Sequence, residues 1–406
     1  MAKILFTWEL GAGSGHVAPY LNLVKYLEGE GHQIYHALRY LNRAQQFFND
    51  TNVTFLQAPA TFIATKDRVK VSNSYARIIH NAGYSDVDML TALIKSWRNL
   101  YDLIKPEVII FDYSPTAMLA ARDMDTRRIA IGTGFHLPPD KKPIPSLTEA
   151  FGKGEDQESL QKFEDNLVRH INESLSNNNL SPLNQFSELF SVDLKLFRTY
   201  MEMDHYKGRG EANYLGVLKS APGVKPEWPA ASGPRVFAYL KSFKTLPVLF
   251  NILNRRKFPT LVYGDGIPEK IIKQAASDTL KFSMKPLDMT AIGQTADIAI
   301  CNAGHSASCE LLLSGVPMLL LPLNLEQHLV AHNVTNLGAG ISAPKLHPKG
   351  MAYKLDLLIK NNGYRDSAKK FSEQYAEQEK TSTVDRIVEA ISPLLTEKKQ
   401  RKKIAG

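Results

Sequence analysis

The sequence predicts an α/β protein of two Rossmann-like domains with parallel sheets facing a cleft, and three observations carry that expectation. Short, continuously apolar runs bounded by turn residues recur along the chain, as strands buried on both faces require. Apolar residues at helical spacing fill the intervals between them, which is the βαβ alternation of a doubly wound sheet. The alternation runs, lapses and restarts within 406 residues, too many for one core and enough for two.

The elements follow in order. Lys3-Ile4-Leu5-Phe6-Thr7-Trp8 reads as the first buried strand, and Gly11-Ala12-Gly13-Ser14-Gly15-His16 as the loop that leaves it. Val17, Tyr20, Leu21, Val24 and Leu27 recur at helical spacing until Gly29 and Gly31 stop the helix. Residues 33–38 resume as strand. Residues 107–111 form another buried run ending at Asp112, followed by a helix over 117–122 and a strand over 128–131. From about 141 to 214 the rhythm lapses into a polar stretch centred on Asn177-Asn178-Asn179, read as helices and loops inserted into a first domain of residues 1–221. Residues 222–234 are the stretch densest in proline and glycine and form the expected linker. Strands at 235–240, 259–263, 298–301 and 317–321, with helices at 246–254, 269–275 and from Ser306, rebuild the alternation in a second domain, 235–380. A helix near 383–394 and a basic tail complete residues 381–406.

Composition narrows the function classes. The formal net charge is +8, but the stretch 398–403 alone holds five cations and no acid, so the rest of the chain stands at +3. A basic nucleic-acid footprint over the fold is therefore not expected, and the tail is read as a solvated end or a peripheral contact with anionic lipid. Two cysteines, Cys301 and Cys309, have no paired spacing and suit a reducing, cytoplasmic setting. The most apolar stretch, 311–323, is interrupted by Ser314, Gly315, Pro317 and Pro322 and is too short to span a bilayer.

Two loops carry the chemistry. The first is not a dinucleotide fingerprint: His16 stands where the third glycine belongs, and His36-Ala37-Leu38-Arg39 supplies no ribose-binding acid. What remains is a glycine-rich turn presenting His16 at the expected start of a helix, where the dipole disfavours imidazolium and leaves a ring able to accept a proton. Asp112, ending a neighbouring strand, is placed to hold the other ring nitrogen or to cap the loop after it. The second loop, Cys301-Asn302-Ala303-Gly304-His305-Ser306-Ala307-Ser308, ends a buried strand in small residues and begins a helix at once. Free backbone N–H groups and the dipole there suit a diphosphate, and Glu310 could accept from ribose hydroxyls. His32 and His36 flank a strand and read as packing or surface residues, and His305, His328 and His332 have no metal-site spacing.

The order of these features, with Gly315-Val316-Pro317, Pro322, Glu326-Gln327, Asn333 and Leu337-Gly338-Ala339-Gly340, resembles the C-terminal signature of the UDP-glycosyltransferase superfamily, which has the GT-B fold. Cys301, Gly304 and Glu310, with Leu287-Asp288-Met289, also resemble the N-acetylglucosaminyltransferase that completes peptidoglycan lipid II. The N-terminal Gly-x-Gly-His with Pro19, and Gly31-His32, match the same superfamily; residues 141–214 do not take part in the match. The resemblance implies an inverting, metal-independent transferase that moves a sugar from a nucleoside diphosphate, UDP foremost, to a hydroxyl acceptor, with no cofactor beyond that co-substrate. It implies His16 as general base with Asp112 behind it. It further implies a diphosphate loop over Asn302, Ala303, Gly304, His305, Ser306 and Ser308, Glu310 on ribose, and Glu326 and Gln327 on the donor sugar. No Asp-x-Asp pair is read as a metal motif. Three departures stand out: Asn302 where relatives have histidine, Phe282 beside Met284 where a ring would stack on the base, and Lys241 in place of a glycine-rich loop. They leave two alternatives open, a nucleotide-sugar epimerase and a non-catalytic nucleotide-sugar binding subunit.

Overall fold

The computed structural model describes the chain except residues 12–13, 62–66, 220–222 and 397–406, so the basic tail and the start of the expected linker lie outside the described residues. The chain divides into two compact units: residues 1–200 with 204–216 and 382–406, and residues 201–203 with 217–381.

The first unit is built on six parallel strands: β1 (Lys3–Trp8), β2 (Gln33–Leu38), β3 (Thr54–Gln57), β4 (Val108–Phe111), β5 (Arg127–Gly132) and β6 (Leu194–Phe197), in the order β3-β2-β1-β4-β5-β6. The residues of β4 are all buried, as expected of a central strand covered on both faces. A doubly wound sheet of this order reverses direction between β1 and β4, and the crevice at that switch point, beyond the carboxyl ends of the strands, is where such sheets bind ligands. The stretch 141–214, read as inserted helices and loops, is partly sheet: it supplies β6, the sixth strand, an edge strand too short and too polar, Leu-Lys-Leu-Phe, to stand out by periodicity. The helix Gln157–Ser176 in the same stretch buries Leu160, Leu167, Ile171 and Leu175.

The second unit repeats the plan with β7 (Val236–Lys241), β8 (Thr260–Asp265), β9 (Leu280–Ser283), β10 (Ile298–Cys301), β11 (Met318–Leu320) and β12 (Gly340–Ser342), ordered β12-β11-β10-β7-β8-β9 and parallel throughout. Read from β9, this is the same order as in the first unit, so its switch point lies between β7 and β10. Its core gathers Val236, Leu240, Phe250, Val262, Ile300, Leu319 and Leu355 around the sheet.

Two segments depart from the expected boundaries. The expected linker is packed onto the second unit. Val224 N–H donates to Pro286 O at 2.9 Å, Asp288 N–H donates to Val224 O at 2.9 Å, and a Cβ on Gly223 would fall 2.3 Å from the Leu287 carbonyl carbon. The C-terminal helix Thr383–Thr396 belongs to the first unit, burying Ile387 and Ile391 while Arg386 Nε donates to Leu215 O at 2.8 Å. Among the described residues no helix is long and apolar enough to cross a membrane.

Glu9, just beyond β1, gives the first unit a pH-dependent component. It is 2% exposed and accepts from Trp97 Nε1 at 2.9 Å and from the Thr116 backbone. Burial pushes its carboxyl up to about 7, against the pull of those donors. A carboxyl whose folded pKa is raised stabilises fully below its unfolded pKa and loses that contribution as pH rises through the folded value. Stability is therefore expected to fall by about 3 kcal/mol between pH 4.5 and 8 on this account. Glu9→Gln should remove that slope; parallel urea midpoints for the two proteins over this range would contradict it.

Candidate functional site

At the first switch point four strand ends contribute side chains. His16 follows β1, Asp112 ends β4, His136 follows β5 and Arg198 follows β6. His16 Nδ1 lies 3.0 Å from Asp112 Oδ2, and Arg198 Nη2 donates to the same oxygen at 3.4 Å. His136 Nδ1 stands 3.8 Å from Asp112 Oδ1. All four residues are buried, with His16 the most exposed at 8%. Burial pulls the Asp112 carboxyl up, but His16 and the Arg198 guanidinium beside it outweigh that and hold the group well below the usual carboxylate range. Burial, with His16 beside it, holds His136 well below the ordinary histidine value. With Asp112 ionised and therefore accepting, His16 donates to it through Nδ1, which leaves Nε2 as the ring nitrogen not engaged by the carboxylate.

The ring is held by its neighbours. Trp8 stacks on it with centroids 5.3 Å apart at 16°, and Tyr113 lies on it at 6.0 Å and 29°. Tyr113 itself sits at φ +50°, a left-handed backbone that costs a bulky residue free energy. Its carbonyl accepts from Leu10 N–H at 3.1 Å, and its ring stacks on His136 at 4.4 Å. Gly11 adopts φ +82°, and a Cβ there would lie 2.9 Å from His16 Nε2. Gly11→Ala is therefore expected to strain the turn and displace the reactive nitrogen, lowering kcat by about 10- to 100-fold while thermal unfolding stays cooperative. Wild-type turnover in that variant would show that the ring has slack.

One expectation about His16 changes. The residue ends a single 3₁₀ turn, Ser14–His16, and a second turn, Ala18–Tyr20, carries Pro19 in its first turn. The α-helix, Leu21–Gly29, begins only at Leu21, because two short turns intervene. A helix dipole acts within its first turn, so it does not set the state of this ring.

The second switch point forms the other candidate site. β10 ends at Cys301, Ala303 takes φ +57°, and Gly304 caps the helix His305–Leu313 without a side-chain hydrogen bond. The first intrahelical donor is Ser308 N–H, to Gly304 O at 2.9 Å, so the amides of His305, Ser306 and Ala307 carry the helix's positive end. Gly304 is exposed and Ser306 half-buried. Ser308 is fully buried, so it leaves the set of side chains open to a ligand. Asn302 does too: its Oδ1 accepts from Lys241 N–H at 2.7 Å and its Nδ2 donates to Leu321 O at 2.8 Å. This amide ties together the ends of β7, β10 and β11, which explains why an asparagine serves there. His305 is buried, with Nε2 3.8 Å from Cys309 Sγ.

The remaining candidates sort by exposure. Glu310 is buried and Glu326 half-buried. Gln327 accepts from Leu323 N–H at 2.8 Å through Oε1, while Asn324 caps its helix by accepting from Gln327 N–H at 3.0 Å. Lys241 has an exposed side chain. Phe282 packs edge-on against Phe250 at 5.3 Å as part of the core, whereas Met284 is 77% exposed; the open apolar surface past β9 is the methionine. His36 is buried among Phe6 and Phe48, and burial holds its ring at about 3; of the packing and surface readings, the structure has packing.

Among the described residues, His16, Asp112 and His136 form the group with metal-ligand spacing, their ligand atoms within 4.8 Å of one another. Arg198 already places a cation on that carboxylate. Two Asp-x-Asp spacings occur, and both serve the fold. Asp86 of Asp86-Val87-Asp88 caps a helix by accepting from Met89 N–H at 3.0 Å, and Asp123 of Asp123-Met124-Asp125 accepts from Ser181 N–H at 2.8 Å. Sequence reasoning passed over His136 and Arg198; neither belongs to a motif, and only β5 and β6 bring them to Asp112.

Comparison with known proteins agrees with this architecture. Residues 254–387 match the glycosyltransferase family 28 C-terminal domain. A PGL/p-HBAD biosynthesis glycosyltransferase of Mycobacterium tuberculosis (strain ATCC 25177 / H37Ra) is 23% identical over 309 residues, covering 70% of this chain and 71% of the relative. The fold is shared with CalG4, the calicheamicin glycosyltransferase, at TM-score 0.71 and 17% identity over 100% of this chain and 99% of that one. It is shared too with the glycosyltransferase VinC in complex with DTDP, at TM-score 0.69 and 15% identity over 97% and 100%.

Proposed function

From the premise that this chain is a glycosyltransferase of the GT-B superfamily, we propose that it transfers a sugar from a nucleoside diphosphate to a hydroxyl acceptor by a single inverting displacement without a metal ion. The observation that carries this reading is the His16–Asp112 contact of 3.0 Å at a topological switch point, a base with its orienting carboxylate at the place where α/β sheets take ligands. His16 Nε2 removes the acceptor's hydroxyl proton as that oxygen bonds the anomeric carbon. The bond from that carbon to the diphosphate breaks, its electron pair leaves with the diphosphate, and one backside displacement inverts the centre. The amide end of helix His305–Leu313 supports the leaving charge, with Ser306 as its side-chain donor and Glu310 on the ribose. Glu326 and Gln327 would meet the donor sugar and Met284 would cover the base. VinC's complex with DTDP supports the nucleoside diphosphate, and the sequence resemblance favours UDP.

The test is incubation with UDP-, TDP- and GDP-sugars and a panel of hydroxyl acceptors, following nucleotide release and the stereochemistry of the product, with EDTA present in one arm. The reading expects release that depends on the acceptor, EDTA-insensitive turnover and an inverted linkage. Conversion of donor without acceptor would instead establish an epimerase. Retention, or loss of turnover with EDTA, would overturn the mechanism.

A further inference from the structure

A base needs its ring unprotonated at rest, and the carboxylate that orients His16 works against that. A lone buried Asp⁻ beside an imidazole favours imidazolium, because the opposite charge is close and poorly screened. The dipole expected to oppose this is absent, since the α-helix begins at Leu21. The opposing charge comes from the end of β6. Arg198 is 3% exposed, and its Nη2 donates to Asp112 Oδ2, the same oxygen that meets His16 Nδ1. The two nitrogens are thus no more than about 6.4 Å apart. Arg198 is fixed from behind: its backbone N–H donates to Gly132 O at 2.9 Å, and its guanidinium lies over the Tyr20 ring at 5.7 Å.

The other groups around the pair are weak sources of charge. Tyr20 from the helical side is pushed well above its ordinary value, mainly by burial. His36 on β2 and His136 after β5 are buried and held low. His205, behind His136, is held near 4 by burial. Tyr113 stacks on the site as an aromatic ring. Around His16 the cluster thus holds one carboxylate, one guanidinium and histidine rings that burial holds low, so Arg198 balances the charge of Asp112.

We propose that Arg198 is a positioning residue for proton transfer: it cancels the charge of Asp112 toward His16, so that the carboxylate orients the ring without loading it with a proton. The proposal rests on His16 acting as general base. Removing the cation lets the His16–Asp112 pair bind a proton more readily, a property of the pair as a whole. The test compares kcat/KM from pH 5 to 9.5 for wild type, Arg198→Met and Arg198→Lys. In Arg198→Met the acid limb should move up by about one pH unit or more, with activity about 10-fold low at pH 7, largely recovered near pH 9, and donor KM little changed. Arg198→Lys should return the limb toward wild type. A loss in Arg198→Met that is equal at every pH would mark a merely structural arginine and overturn the proposal. Should Arg198→Met fail to fold, ¹⁵N NMR of the wild-type histidines decides. A neutral His16 ring protonated on Nδ1 at pH 7 is the expected result, and an imidazolium there overturns it. The two readings fail separately: full turnover in a His16 variant removes the base, whereas an inactive His16 variant with a pH-independent Arg198 defect removes only the role of the arginine.

Discussion

Replacing Asp112 with asparagine is expected to damage this protein twice over. The carboxylate accepts from His16 Nδ1 and from Arg198 at a position 4% exposed to solvent. An amide of the same shape can turn its NH₂ toward either partner, so it no longer selects the tautomer that leaves Nε2 free. Catalysis should fall by about 10³- to 10⁴-fold, the scale seen where an orienting aspartate becomes an amide. The second effect is on folding. Asparagine takes the carboxylate away from a buried guanidinium, and breaking such a pair from one side costs about 3–5 kcal/mol. Chemical denaturation should therefore show a clearly lower midpoint with an unchanged slope. A variant that lost activity at full stability would mean that Arg198 does not rely on this carboxylate.

His16→Ala should give the complementary result. It removes the base but leaves Asp112 with Arg198, and it opens a cavity beside Trp8 and Tyr113 rather than exposing a charge. The chemical step is expected to slow by about 10²- to 10⁴-fold. Binding of the nucleoside diphosphate should persist, because the helix end proposed to hold it, at 305–307, belongs to the other unit. Calorimetry with the diphosphate and single-turnover assays separate the two quantities. Turnover close to wild type would end the general-base assignment.

How much of this could be read beforehand depended on whether a residue sat in a motif or was delivered by packing. The strands around both loops were legible, because central strands buried on both faces must be apolar throughout, as Val108 to Phe111 are. Asp112 was legible because it immediately follows such a strand, and His16 because it closes the glycine-rich loop that leaves one. β6 escaped notice, for an edge strand of four residues need bury only part of its surface, and Arg198 escaped with it. Sequence order places Asn302 and Ser308 in the loop, but tertiary packing turns the Asn302 amide onto neighbouring strand ends and buries Ser308. Phe282 was chosen as a ring near the right place, and strand pleating directs it toward Phe250.

The sequence by itself determined the class of fold, the two sheets and the two loops, since each depends on local pattern: apolar runs, turn residues and spacing within some tens of positions. Tertiary structure alone decided the electrostatics around His16. Asp112, His136 and Arg198 are separated by up to 86 positions in the chain, and only the strand order β1-β4-β5-β6 puts their ends side by side. Charge interactions weaken with distance and are strongest where burial leaves them poorly screened, so the charges that act on His16 follow from which strand ends are neighbours, a fact about sheet topology rather than about sequence order.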